Sequence, residues 1–155
     1  MREVILGLLV FITAACQSQK IVAEMPTENP IENAAQSSNE LLGKWTLEYM
    51  SPVDGKNVKD LYKMQMPYLN FVDQNKVAGN NGCNNIAGSY QSENKSIQFH
   101  TNTWASTRMF CQNVNEAAFL NALKTINRYS LVDDGQRLML MTSDIATMIL
   151  VKTEE

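Results

Sequence analysis

The chain has 155 residues, 45% of them hydrophobic and 19% charged, which is the make-up of one globular domain and excludes a multi-span membrane protein or a disordered chain. The net charge of −3 is unevenly spread: residues 17–40 set Lys20 against Glu24, Glu28, Glu32 and Glu40, Glu154 and Glu155 add two negative charges, and 41–153 hold 11 basic and 9 acidic residues. A surplus of two scattered cations is not the basic stripe that phosphate binding requires, so nucleic acid is excluded as an expected partner.

In chain order, Arg2 is followed by the apolar run Val4 to Ile12, by Thr13-Ala14-Ala15-Cys16, and by polar sequence from Gln17. The apolar run is too short to span a bilayer and suits the core of a signal peptide. A cysteine directly after small residues resembles a lipobox, in which the cysteine is acylated and becomes the first residue of the mature chain; Thr13 stands where an aliphatic residue is usual. Residues 1–15 therefore read as a lipoprotein signal peptide and Cys16 as the lipidated residue, the alternative being an ordinary signal peptide cut after Ala15. Acylation would hold the protein to a membrane, since each buried methylene contributes about 0.8 kcal/mol. Gln17 after the cysteine resembles the pattern of lipoproteins sorted to the outer membrane, facing the periplasm. Residues 16–40, with Pro26 and Pro30, no aromatic residue and an excess of Gln, Asn, Ser, Ala and Glu, bury too little apolar area to offset their ordering entropy. They read as a flexible tether with a random-coil reach of about 25 to 30 Å.

The domain, 41–153, opens with period-two alternation: Trp45, Leu47 and Tyr49 on one face, Lys44, Thr46 and Glu48 on the other, a half-buried strand. Asp54-Gly55 marks a turn, and 57–67 reads as a loop. Tyr68 to Val72, Lys76 to Gly79, Ile86 to Gln91 and Ser96 to His100 follow as short strands, with a turn at Ser92 to Lys95. Helical spacing is confined to Asn115–Arg128, where Phe119, Ala122, Leu123 and Ile126 share one face, Asn113 or Asn115 can cap, and Glu116 in the first turn suits the dipole. Tyr129 to Val132, the hairpin signal Asp134-Gly135, Arg137 to Met141 and Ile145 to Lys152 complete a terminal run of strands. Seven or eight strands and one helix make a mainly β fold, an antiparallel sheet that must curl or close to hide its edges.

The densest stretch is Gly79-Asn80-Asn81-Gly82-Cys83-Asn84-Asn85-Ile86-Ala87-Gly88-Ser89-Tyr90, rich in the residues that accept positive φ. With Trp45 before it, and Thr107-Arg108-Met109-Phe110-Cys111 and Glu116 with Phe119 after it, the order resembles the META domain, the family of the heat-shock protein HslJ. The family pattern is a Trp-bearing first strand, G-x-x-G-C-N-x-x-x-G-x-Y, T-x-M-x-C and E-x-x-F, and it is filled by Trp45; Gly79, Gly82, Cys83, Asn84, Gly88 and Tyr90; Thr107, Met109 and Cys111; Glu116 and Phe119. Phe110 stands where the family commonly has a small residue. The resemblance implies a small, partly open antiparallel β-barrel with one helix, in envelope proteins described as stress-related and without established catalysis.

Cys83 and Cys111 remain once Cys16 is set aside for acylation, and an exported chain meets an oxidising compartment, so a disulfide between them is expected; the alternative is two buried thiols. The lone histidine, His100, ends a strand and reads as a solvated edge residue, and two Cys with one His at these spacings match no zinc module. No metal, cofactor or catalytic residue is expected. Asn84 can hold a strained turn, Arg108 can bridge carbonyls, and both read as structural. The methionines Met64, Met66, Met139, Met141 and Met148 fill a core or line an apolar groove. The expected function is a monomeric, non-enzymatic envelope lipoprotein that supports stress tolerance or assembly through protein or lipid contacts; the alternative is a carrier of a hydrophobic ligand in an apolar barrel cavity.

Overall fold

The computed structural model describes residues 40–154, so the signal peptide, Cys16 and all of the tether but Glu40 lie outside the described residues. Alternating apolar residues form nine strands: β1 (Gly43–Met50), β2 (Tyr68–Phe71), β3 (Lys76–Asn80), β4 (Asn85–Glu93), β5 (Ser96–Phe99), β6 (Ala105–Ser106), β7 (Arg128–Val132), β8 (Arg137–Thr142) and β9 (Ile145–Thr153). They make one antiparallel sheet in the order β3-β2-β1-β9-β8-β7-β5-β4-β6, and β3 also pairs with β4. Eight strands thus close on themselves in a ring, while the two-residue β6, which sequence reading missed, hangs on β4.

The ring is not a regular barrel. β5 and β7 share the single register pair Ser96–Arg128, supported by hydrogen bonds from Ile97 N to Asn127 O (3.1 Å) and Tyr129 N to Lys95 O (2.9 Å). Helix α2 (Glu116–Thr125) packs on β5 and runs into β7 through Ile126 and Asn127, so it lies beside this weakest joint. The helix stops at Thr125, short of the expected Arg128, because Ile126 turns extended and Arg128 is drawn into the ladder with β8.

Two further departures have local causes. A single helical turn, α1 (Val58–Leu61), stands in the expected loop; Asn57 Oδ1 accepts from Lys59 N (3.0 Å) and Asp60 N (3.2 Å), and Asp60 Oδ2 accepts from Asn57 N (3.3 Å). Such a capping box stabilises a turn too short to show periodicity. In β1 the register against β9 shifts between Leu47 and Tyr49, and the bulge reverses the alternation: Met50 is buried and Tyr49 is 42% exposed.

The interior is filled by large side chains, among them Trp45, Tyr62, Phe71, Tyr90, Phe119 and Tyr129. Phe71 and Tyr90 meet edge to face with centroids 4.9 Å apart, and Trp45 Nε1 donates to Leu41 O at 2.6 Å. Of the methionines, Met50 and Met148 are core, Met66 packs against it, Met139 and Met141 are half-buried, and Met64 is exposed.

Buried hydroxyls anchor two loops: Tyr62 donates to Asn115 O (3.1 Å) and Tyr90 to Asp73 O (2.8 Å). Burial pushes both phenols from 10.0 up to about 12, with the Asp73 charge adding to the rise at Tyr90. A phenol that ionises later in the folded than in the unfolded chain contributes stability below about pH 10 that is lost as pH climbs towards 12. Unfolding midpoints should therefore fall between pH 10 and 12, and Tyr62→Phe and Tyr90→Phe should each flatten that decline in chemical denaturation series. An unchanged slope in both variants contradicts the assignment.

Candidate functional site

Residues Asn81 to Asn84 connect β3 to β4, and side-chain amides shape the connection. Asn80 Oδ1 accepts from Gly82 N (2.8 Å), while Asn81 Oδ1 accepts from Cys83 N (3.2 Å) and Asn84 N (2.7 Å). Gly82 sits at φ +100°, and a Cβ there would stand 2.5 Å from Tyr62 Cδ1. Only glycine meets both conditions. Asn80, Asn81 and Asn84 are buried polar residues and must find partners inside the protein.

Asn84 uses its whole hydrogen-bonding capacity. Its Nδ2 donates to Glu116 Oε2 (2.7 Å) and to Met109 O (3.0 Å); its Oδ1 accepts from Met109 N (2.7 Å) and Thr107 Oγ1 (2.8 Å). One side chain thus grips Met109 by both backbone groups and ties it to the first residue of α2. Asn81 Nδ2 donates to the same Glu116 oxygen (3.1 Å), Thr107 Oγ1 accepts from Asn85 N (3.1 Å), and Asn115 Oδ1 caps α2 by accepting from Ala118 N (3.1 Å). Two residues beyond Met109, Cys111 is joined to Cys83 in the expected disulfide.

The clamp displays what lies between its grips. The side chains of residues 105–110 are all exposed, Met109 at 58% and Phe110 at 92%. Arg108 does not bridge carbonyls: it is exposed and makes no hydrogen bond or ion pair among the described residues. His100 is half-buried at the end of β5, where its backbone oxygen accepts from Thr103 N (3.0 Å) and Thr103 Oγ1 (2.9 Å).

The sequence pattern of the META domain family matches residues 39–155. The chain belongs to the META domain family. Among solved structures, it is similar to a protein from Burkholderia xenovorans determined by NMR, with a TM-score of 0.60 and 23% identity over 92% of this chain and 100% of that one. A second NMR structure matches at a TM-score of 0.51 and 23% identity, over 72% of this chain and 90% of that one. At that identity both show the fold alone. No curated protein matches the sequence significantly.

Within this META domain the motif residues divide by role. Trp45, Tyr90 and Phe119 are core, and Gly79 and Gly88 allow close approach: a Cβ would stand 2.2 Å from Tyr68 O in the first case and 1.9 Å from Trp104 Cδ1 in the second. Gly82, Cys83, Asn84, Thr107, Met109, Cys111 and Glu116 build the clamp. Sequence reading placed Asn81 in the turn but gave it no role, and it did not connect Tyr62 or Trp104 with this region. Asn81 had a usable signal, an Asn two and three residues before the amides it caps; Tyr62 and Trp104 gave none, since their partners are distant in sequence.

The polar groups of the clamp are committed to one another. Both sulfurs are bonded to each other, the Thr107 hydroxyl is engaged on both sides, and Glu116 accepts from two amides. Among the described residues no three His, Cys, Asp or Glu side chains gather as a metal site, and no helix is long and apolar enough to cross a membrane.

Asn84→Asp sets a carboxylate against Glu116 Oε2 and the Met109 carbonyl and should cost roughly 3–5 kcal/mol in urea unfolding, more than Asn84→Ala at roughly 2–3 kcal/mol. Equal stability of the two variants would argue against the clamp. Paired Cys83→Ala and Cys111→Ala substitutions, which open a loop with a sequence separation of 28, should lower stability by about 3.5 kcal/mol and speed tryptic cleavage after Arg108. Unaltered cleavage would mean that the disulfide does not hold the segment.

Proposed function

We propose that this META domain protein is a non-enzymatic, lipid-anchored protein of the cell envelope, attached through Cys16, that supports stress tolerance or envelope assembly by contact, with residues 105–110 as the contact surface. The observation that carries this reading is Phe110, 92% exposed between a residue gripped at both backbone groups and a disulfide-bonded cysteine. Burying a phenylalanine side chain contributes about 1.5–3 kcal/mol, so leaving one in water is a standing inducement to association. A segment held rigid before contact also loses little conformational entropy on binding. Carriage of a hydrophobic ligand is the weaker reading, because the described interior is occupied by the aromatic and aliphatic side chains of the chain itself.

Two measurements test the reading in cells. Labelled palmitate should enter the unaltered chain and not Cys16→Ala, which should leave the membrane fraction; labelling of both excludes the anchor. A photoreactive phenylalanine analogue in place of Phe110 should give crosslinks that the same analogue in place of Gln98, an exposed residue of β5, does not. Absence of crosslinks at position 110, or turnover of an envelope substrate by the purified protein, would overturn it.

A further inference from the structure

We propose that the surface displayed by the clamp is one half of a basic, apolar contact face for an anionic lipid bilayer, the other half being Lys63 and Met64. The inference rests on the contact reading above and names the partner of that contact. Tyr62 and Val114 form an isolated antiparallel bridge, and the chain leaves it as Lys63-Met64 on one side and arrives at it from Phe110 and Cys111 on the other. Lys63 and Asn113 line one cleft of about 500 Å³, so the two stretches share an end of the domain. That end carries three of the six exposed large apolar side chains among the described residues: Met64 at 76%, Met109 at 58% and Phe110 at 92%.

Charge decides the kind of partner. Lys76, Lys95, Arg128 and Arg137 are ion-paired, and Lys44 and Lys152 lie over the rings of Tyr68 and Trp45. The cations whose charged side-chain groups make no ion pair, hydrogen bond or ring contact among the described residues are Lys56, Lys59, Lys63, Lys124 and Arg108, and all but Lys124 belong to the cleft, to α1 beside it or to the clamped segment. The carboxylates beside them are Asp54, Asp60, which also caps α1, and Glu116, whose oxygen is occupied by Asn81 and Asn84. Cations therefore exceed the available carboxylates there, and each exposed apolar stretch has a cation as its chain neighbour. Side chains this exposed project outward and do not line a groove. A bilayer accepts projecting Phe and Met among its acyl chains while its phosphates meet Lys and Arg at the headgroup level.

The test uses the full chain with Cys16→Ala, which removes the proposed acyl anchor so that only the face can bring the protein to vesicles, and with Phe110→Trp, a change in a side chain that is 92% exposed; emission from Trp45 and Trp104 is subtracted using the Cys16→Ala chain. On vesicles of phosphatidylcholine with phosphatidylglycerol the added emission should shift to the blue and be quenched by brominated acyl chains. Phosphatidylcholine alone should give neither effect. Adding Lys63→Glu and Arg108→Glu should weaken the shift at least about tenfold in lipid concentration, and so should raised salt. An equal response on both vesicles, no response on either, or a blue shift without vesicles that grows with protein concentration overturns the bilayer as partner. A silent F110W probe together with crosslinks to protein at position 110 removes the bilayer and leaves the contact reading standing; loss of both signals removes both.

Discussion

The side chain of Asn84 has no room to be anything else. It is buried where three stretches of chain converge: its own turn between β3 and β4, the Thr107–Met109 segment, and the start of α2. All four of its hydrogen-bonding positions are taken, by Glu116, by both backbone groups of Met109 and by the Thr107 hydroxyl. Aspartate has the same length but lacks both donors, glutamine would overreach, and alanine would remove all four hydrogen bonds at once, leaving Glu116 held by Asn81 alone. Around this amide the rest of the local structure follows. Asn81 shapes the turn that delivers it, Gly82 supplies the backbone conformation that the turn needs against the Tyr62 ring, and the Cys83–Cys111 bond closes covalently what the amide closes by hydrogen bonding.

The rest of the fold is less evenly secured. From β3 through β2, β1, β9, β8 and β7 the strands pair over several residues each, whereas the return from β7 to β5 rests on one register pair. Glu40 reinforces that joint, accepting from Tyr129 Oη at 2.9 Å and pairing with Lys95, whose ammonium lies 5.2 Å over the Tyr129 ring. The last residue of the expected tether is therefore already part of the domain.

These constraints separate a packed body from a displayed surface. The body spends its aromatic side chains on itself, while the clamped segment holds Met109 and Phe110 in water on a backbone that cannot collapse over them. A chain that needed only stability would gain by folding such residues inward. Their exposure on so firmly held a segment is the physical basis for reading the protein as one that works by touching something, and the unpaired cations nearby favour a partner of opposite charge.

Much of this was legible in one dimension, because alternation and turn chemistry are local. Strand positions, the cap and buried stripe of α2 and the Asn- and Gly-rich turn could be read from residue types and spacing, and the cysteine pair was expected as the two left once Cys16 is set aside. What stayed hidden depends on partners far along the chain. The bulge that turns Tyr49 outward is a register property of β1 against β9, α1 is too short to show a period, and the grip on Met109 comes from Asn84, 25 residues away. The sequence by itself determined which residues could make a tight turn, a core or a crosslink; tertiary structure alone decided that Asn84, Glu116 and Met109 meet, and that Phe110 is left outside, because those outcomes are set by contacts across 25 to 32 residues that no local pattern encodes.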